Sequence, residues 1–274
     1  MLVAIAVLFV FIGVAAGVIG SIAGLGGGIF FVPALLYFAN AYQPGSMSSH
    51  VAAATSLIVI AVTALSSSIS YLKQKKVDVQ SALLFFIGSA PGAIAGVYIN
   101  KLLPLEGFTL LFGLFQLLMF TLMMVKDKIQ PKNLHWKIQR HFVDHEGNEY
   151  EYGYSRWTAI LIAFFVGITS SLFGVGGGVL MVPAMIILFR FPPHIATATS
   201  MLVIFFSAVI GSATNIWHGN IDWLYAVMLA PGAWAGGKLG AFAASKMKGR
   251  TIVLVLRVLI LGIAIQMIGE SILG

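Results

Sequence analysis

The chain has no cysteine in its 274 residues. That absence excludes disulfides, thiolate metal sites and any relay that hands a group from thiol to thiol. Charge is nearly as scarce. Asp, Glu, Lys and Arg together make up 9%, where an ordinary soluble domain carries about 25%. Hydrophobic residues reach 59% and mean hydropathy is +0.97, so a soluble fold would lack the polar side chains to cover its surface. No Asp or Glu stands near the middle of an apolar run, which removes the carboxylate proton relay of many pumps. The motifs GxSxG and HExxH are missing, and GLGGG does not follow a strand in a βαβ unit, which argues against a dinucleotide site. The expectation is therefore no enzyme, no cofactor and no metal. The net charge of +7 sits in loops between apolar runs, a topology signal rather than a stripe for nucleic acid.

What is there is written twice. Gly17 to Pro33 reads GVIGSIAGLGGGIFFVP, and Gly167 to Pro183 reads GITSSLFGVGGGVLMVP. A second block follows each copy, HVAAATSL from His50 and HIATATSM from His194. The same offset lays Asp78 on Asp222, and Gly88, Gly92 and Gly96 on Gly232, Gly236 and Gly240. Ordered blocks of this kind mean a duplicated half. In so apolar a chain they point to a transporter of two pseudo-symmetric halves.

Ten apolar segments can be marked, at 2–23, 28–40, 49–72, 79–101 and 107–125, then 157–173, 177–190, 194–217, 223–245 and 251–271. A helix needs about 20 residues to cross the hydrocarbon core. The second and seventh segments fall short. Each begins at a glycine break and carries a proline five residues on (Pro33, Pro183), which predicts half-helices or tilted pieces. The first Lys or Arg is Lys73, so residues 2–23 read as a span rather than a cleavable signal. Lys73, Lys75 and Lys76, the stretch 126–156, Arg190, and Lys246, Lys248 and Arg250 all fall on one side when the segments alternate. The positive-inside rule makes that side cytoplasmic and both termini extracytoplasmic, in the inner or plasma membrane.

The expected fold is thus an all-α integral membrane protein of two inverted-topology repeats, each of about five segments with a short helix at GxGGG. Residues 1–125 form the first repeat, 126–156 a cytoplasmic loop, and 157–274 the second repeat. Within the loop, residues 141–154 alternate apolar and polar around Gly147-Asn148, as a short β-hairpin does. The loop is either an ordered linker or a dock for a cytoplasmic partner.

Candidate chemistry lies at the breaks. Gly24, Gly26, Gly27 and Gly28, with Gly174, Gly176, Gly177 and Gly178, leave N–H groups uncovered at helix starts, where the dipole favours an anion. Two breaks converging near the midplane would form a pocket of backbone donors; the alternative is close helix packing. Thr55, Ser56, Thr199 and Ser200 add hydroxyls that either face the anion or bond carbonyls of their own helix. His50 and His194 either cap helices or titrate. Lys238 and Arg257 either snorkel or draw anions into a vestibule. The glycine runs 88–96 and 232–240 allow close helix approach, within the protomer or across a homodimer.

These doubled blocks, GSIAGLGGGIFFVPALL with SSLFGVGGGVLMVPAMI and the two H-[VI]-A-x-A-T-S stretches, resemble the TauE/SafE sulfite exporters over residues 2 to 271. The resemblance implies a multi-span carrier of small sulfur oxyanions or organosulfonates, moved out of the cytoplasm. The matching positions are the eight glycines above, Pro33, Pro183, and the two Thr-Ser pairs. The chain is also distantly similar to thiosulfate carriers that pass substrate along cysteines, a route closed to it. The leading reading is a secondary carrier exporting sulfite or a small organosulfonate across the bilayer. The rival readings are an anion channel, an uptake carrier for another small sulfur oxyanion, and a membrane subunit that docks a partner through 126–156.

Overall fold

The structure is a computed structural model that describes residues 2–42, 47–102, 138–143, 147 and 149–273, with positions 110, 113–114, 116–118, 120–121 and 124. Most of the predicted segment 107–125 and the stretch 126–137 lie outside the described residues. The rest is helical apart from one hairpin. In order the elements are α1 (Leu2–Ala23), α2 (Gly28–Ala34), α3 (Ser49–Lys73), α4 (Val79–Asn100), β1 (Ile138–Val143) and β2 (Glu149–Tyr154). Then follow α5 (Arg156–Phe173), α6 (Gly178–Ile187), α7 (Pro193–Trp217), α8 (Trp223–Ser245) and α9 (Gly249–Leu273). Past Pro33, α2 runs on through a π turn at Leu35–Ala39 to Tyr42, the local adjustment that frees a proline-interrupted helix to continue. Among the described residues, six helices are long and apolar enough to cross a membrane. α2 with its extension and α6 are shorter.

Short polar side chains set the starts. Ser48 accepts from the Val51 N–H at 3.3 Å to begin α3. Asp78 accepts from Ser81 N at 3.1 Å to begin α4, and Asp222 accepts from Leu224 N at 3.0 Å and Tyr225 N at 3.3 Å to begin α8. Each satisfies N–H groups that a helix leaves open.

α3 and α7 form the centre, buried over 72% and 78% of their spans against 33% for α1. Around them the halves exchange partners. α1 of the first half packs on α8 of the second, and α5 of the second on α4 of the first. Both contacts use the glycine runs: a Cβ at Gly88, Gly92 or Gly96 would strike the carbonyl oxygen of Ile160, Phe164 or Ile168, and one at Gly232, Gly236 or Gly240 that of Val10, Val14 or Val18. The small-residue faces are therefore taken up inside the chain, with backbone against backbone. Hydroxyls add tethers without fixed charge: Ser66 donates to Trp234 O at 2.7 Å, Ser67 to Gly237 O at 3.1 Å, and Tyr71 to Ser21 O at 2.8 Å.

The molecule has two chemically distinct ends. At one, Lys76 donates to Ser245 O at 3.3 Å, Gly153 N to Phe189 O at 3.3 Å, and Gly249 approaches Pro193. The basic loops Lys73–Lys76, Arg190 and Lys246–Arg250 belong to that end, and the hairpin rests on it. At the other end His50 bonds Asn100 at 2.8 Å, and the Tyr98 and His218 rings meet edge to face. Lys101 lies there beside otherwise non-basic loops. Exposed tryptophans mark both rims, Trp157 on the basic side, Trp217 and Trp223 on the other, as membrane interfaces favour.

Candidate functional site

Both glycine breaks are built by the same backbone device. Gly24, at φ +73, closes α1 in the left-handed conformation, with Leu25 N returning to Gly20 O at 2.7 Å. Gly27, at φ +88, then starts α2. In the second half Gly174 and Gly177 repeat the pair at φ +65 and +70, and Val175 N returns to Ser170 O at 3.1 Å. The result is a reversal of chain direction inside the protein, and all eight motif glycines are buried. Neither Gly28 N nor Gly178 N, each at the first position of its helix, donates to a described residue.

The two reversals meet. A Cβ on Gly28 would lie 2.6 Å from Gly174 O, and one on Gly178 would strike Gly24 O. Ser56 donates to Gly174 O at 2.6 Å while also contacting Ala53 O at 2.8 Å. Ser200 does the same with Gly24 O at 2.9 Å and Thr197 O at 2.8 Å. Both hydroxyls thus carry a link to the opposite half as well as the local carbonyl bond of a helical serine. Between these clamps Ile60 and Ile204, both buried, press on Gly26 and Gly176. In this conformation the breaks are packed together, and the hydroxyls of Ser56 and Ser200 are given to carbonyls.

The threonines beside them point to the loops. Thr199 Oγ1 accepts from Asp78 N at 3.0 Å, and Thr55 Oγ1 accepts from Asp222 N at 3.0 Å. Each Thr-Ser pair therefore ties its own helix to a helix-capping aspartate and a glycine break of the opposite half. The repeat had aligned Asp78 with Asp222, and that alignment was the available signal for two residues the sequence reading did not place at the site.

The other candidates are dispersed. His50 lies six residues before Ser56 on α3, and its Nδ1 faces Asn100 Oδ1 at 2.8 Å. Asn100 donates in turn to Leu172 O, so His50 is the donor of the pair and supports the end of α5. Ser48, not His50, caps α3. His194 stacks edge to face on Tyr150 of the hairpin, with centroids 5.1 Å apart. Lys238 is exposed on the outer face of α8, and Arg257 is half-buried on α9. Neither converges on the breaks among the described contacts. No group of His, Asp and Glu suited to a metal occurs among the described residues.

The cluster that sequence reasoning missed surrounds Asp78. Its carboxylate, 1% exposed, takes Arg140 Nη2 at 2.7 Å on Oδ1 and Arg140 Nε at 3.1 Å on Oδ2, with Tyr152 OH at 2.8 Å and Ser81 Oγ also on Oδ2. Burial alone would raise the Asp78 pKa, but the bonds from Arg140, Ser81 and Tyr152 outweigh it and hold the carboxyl below the ordinary range. Burial first, then the Asp78 charge, pushes the Tyr152 phenol up, so it remains a neutral donor. Asp222 has no such company: among the described residues its side chain serves only the cap of α8.

A bundle of apolar helices with two packed internal reversals and reciprocal ties between halves fits a multi-pass membrane transporter. The comparisons agree. The model of the sulfite exporter TauE/SafE family matches residues 9–267, and the chain belongs to that family. It is 47% identical over 268 residues to a probable membrane transporter protein, YunE, of Bacillus subtilis, covering 97% of this chain and 98% of that one. It is 28% identical over 262 residues to a probable membrane transporter protein of Xylella fastidiosa, covering 95% and 92%. No solved structure matches the chain.

Proposed function

We propose that the protein is a secondary carrier that exports a small oxyanion, sulfite or a small organosulfonate, from the cytoplasm across the inner or plasma membrane. The observation that carries this reading is the pair of reciprocal clamps, Ser56 on Gly174 and Ser200 on Gly24. They lie toward opposite ends of the protein, on either side of Ile60 and Ile204. Releasing one while keeping the other would uncover a glycine break to one face only, as alternating access requires. The uncovered break then offers the N–H groups of Gly27 and Gly28, or of Gly176, Gly177 and Gly178, at a helix start, with a freed serine hydroxyl beside them. Thr55 and Thr199 would complete the two donor sets. Such a set favours a compact anion.

Two further points support the reading. The family name speaks of sulfite export, and the buried packing of Ile60 and Ile204 on Gly26 and Gly176 favours a carrier over an open channel. In the proposed orientation the basic end, with the hairpin, faces the cytoplasm, the termini face outward, and the halves are inverted repeats. A thermal-shift series on purified protein tests the substrate class. Sulfite and small sulfonates should raise the melting temperature, while chloride at equal ionic strength should not. A response confined to carboxylates or nitrate would reject the sulfur oxyanion.

A further inference from the structure

We infer that the β-hairpin is a gate over the basic end of the transporter, latched by the Arg140–Asp78 pair. A small oxyanion arriving from that end opens it by taking the Arg140 guanidinium from Asp78. The inference rests on the carrier reading for the identity of its ligand, and on the geometry of the hairpin for everything else.

The hairpin is held by two kinds of contact. Its rings pack on the loop between α6 and α7 and on α4: the Tyr152 ring lies 3.9 Å from that of Phe191, and Tyr154 meets Phe189 at 5.7 Å and Phe85 of α4 at 5.5 Å. On the same face, polar groups reach Asp78 through Arg140 and Tyr152, and Ser81 through Tyr154 at 2.6 Å. Arg140 also donates to Gln80. The guanidinium binds the carboxylate through two nitrogens, and the same fork fits two oxygens of a sulfite or sulfonate.

Exposure decides which partner an incoming anion meets. The Arg140 side chain is 25% exposed and that of Asp78 only 1%, so the cation is reached from water and the carboxylate is not. The exchange is also tolerable for Asp78. With Arg140 withdrawn, its oxygens can keep Ser81 N and Ser81 Oγ, and an ionised carboxylate that retains donors is not stranded.

The latch connects to the inner clamp without a gap. Asp78 N donates to Thr199, and the neighbouring Ser200 holds Gly24 O. Release of the hairpin leaves Asp78 free to shift, and such a shift pulls on the contact that would have to release for the Gly24 break to open. The opposite clamp has the matching Asp222–Thr55 bond but no arginine on its aspartate among the described residues. The two halves carry the same device, and among the described residues only the basic end has a lock. That one-sidedness is what a carrier loading from this end would use.

The absence of cysteine makes the test clean. Spin labels are attached through thioether linkages, which sulfite does not cleave, at Glu149→Cys on the hairpin and Lys246→Cys beyond α8. Distances between them are then measured in nanodiscs. The parent pair should give one short, narrow distribution. Asp78→Asn should shift it to longer distances without any ligand. Saturating sulfite should produce the same shift in the parent, chloride at equal ionic strength should not, and Arg140→Gln should be open and unresponsive. Arg140→Lys keeps the charge without the fork and should fall between, which guards against a folding defect in the Gln variant. An unchanged distribution in Asp78→Asn overturns the latch. So does a parent that ignores sulfite at concentrations saturating its flux, or one that opens equally in chloride. Failure of the carrier reading looks different: no oxyanion crosses proteoliposomes, while the ligand-free comparison still reports the latch.

Discussion

Ser56 on α3 donates its hydroxyl to the carbonyl oxygen of Gly174, 118 residues away in the other half, at 2.6 Å. The reciprocal bond from Ser200 to Gly24 measures 2.9 Å. In the proposed transport cycle, the hydroxyls that hold the breaks closed in one conformation would serve the ligand in another. Ser56→Ala and Ser200→Ala each leave a buried carbonyl without its donor from the opposite half, which costs about 1–3 kcal/mol. Both variants should melt lower by similar amounts. Their effects on access should be opposite. Ser56→Ala should raise labelling of a single cysteine at Ala53 by an impermeant reagent from the non-basic side, and Ser200→Ala should raise labelling at Thr197→Cys from the basic side. Labelling that increases equally from both sides would mean the clamps do not control separate faces.

Gly27→Val and Gly177→Val test the breaks themselves. Gly27 sits at φ +88 and Gly177 at φ +70, where an L side chain costs about 1–2 kcal/mol. The new Cβ would also lie 2.8 Å from Ala16 O or 2.9 Å from a Val166 methyl. The expected outcome is a protein that still folds, melts lower and gains no stability from sulfite. A well-folded variant with an undiminished sulfite shift places the anion elsewhere.

Much of this was legible in the sequence, for identifiable reasons. Helix bounds such as Leu2–Ala23 and Trp223–Ser245 follow from lipid, which demands long apolar runs and lets Gly, Asp and Ser punctuate them. The hairpin strands around Gly147 follow from period-two alternation. The breaks were visible because they occur twice. What was not legible is pairing across distance. That Ser56 meets Gly174, or that Arg140 reaches back to Asp78, depends on how α3, α5 and the hairpin assemble, and no local pattern encodes it. The glycine runs left two partners open, and only the exchange of α1 and α5 between halves decides that they pack within the chain.

Orientation is open to a direct check. Reporter fusions after Gly274 and at Asn148 should give opposite signals, the first extracytoplasmic and the second cytoplasmic. Matching signals would end the inverted-repeat reading.

The Asp78 latch predicts a specific response to pH. Its carboxyl is held below the ordinary value, so the stabilisation it brings is present above the unfolded value of about 4 and fades only as pH falls through the lower folded value. Hairpin protection should therefore be equal at pH 6 and pH 8 and should be lost only in acid. Hydrogen exchange over residues 138–154, corrected for intrinsic rates, reads this directly. Asp78→Asn should remove the protection at every pH. A midpoint near neutrality would assign the hairpin's hold to another group.

Counterflow tests the carrier most directly. Purified protein in proteoliposomes is loaded with unlabelled sulfite, and entry of radiolabelled sulfite is followed against empty vesicles. The prediction is saturable entry that accelerates with sulfite on the far side and disappears in Gly27→Val. Entry that rises linearly with concentration and ignores the internal sulfite would describe a pore, and would contradict a carrier closed by Ser56 and Ser200.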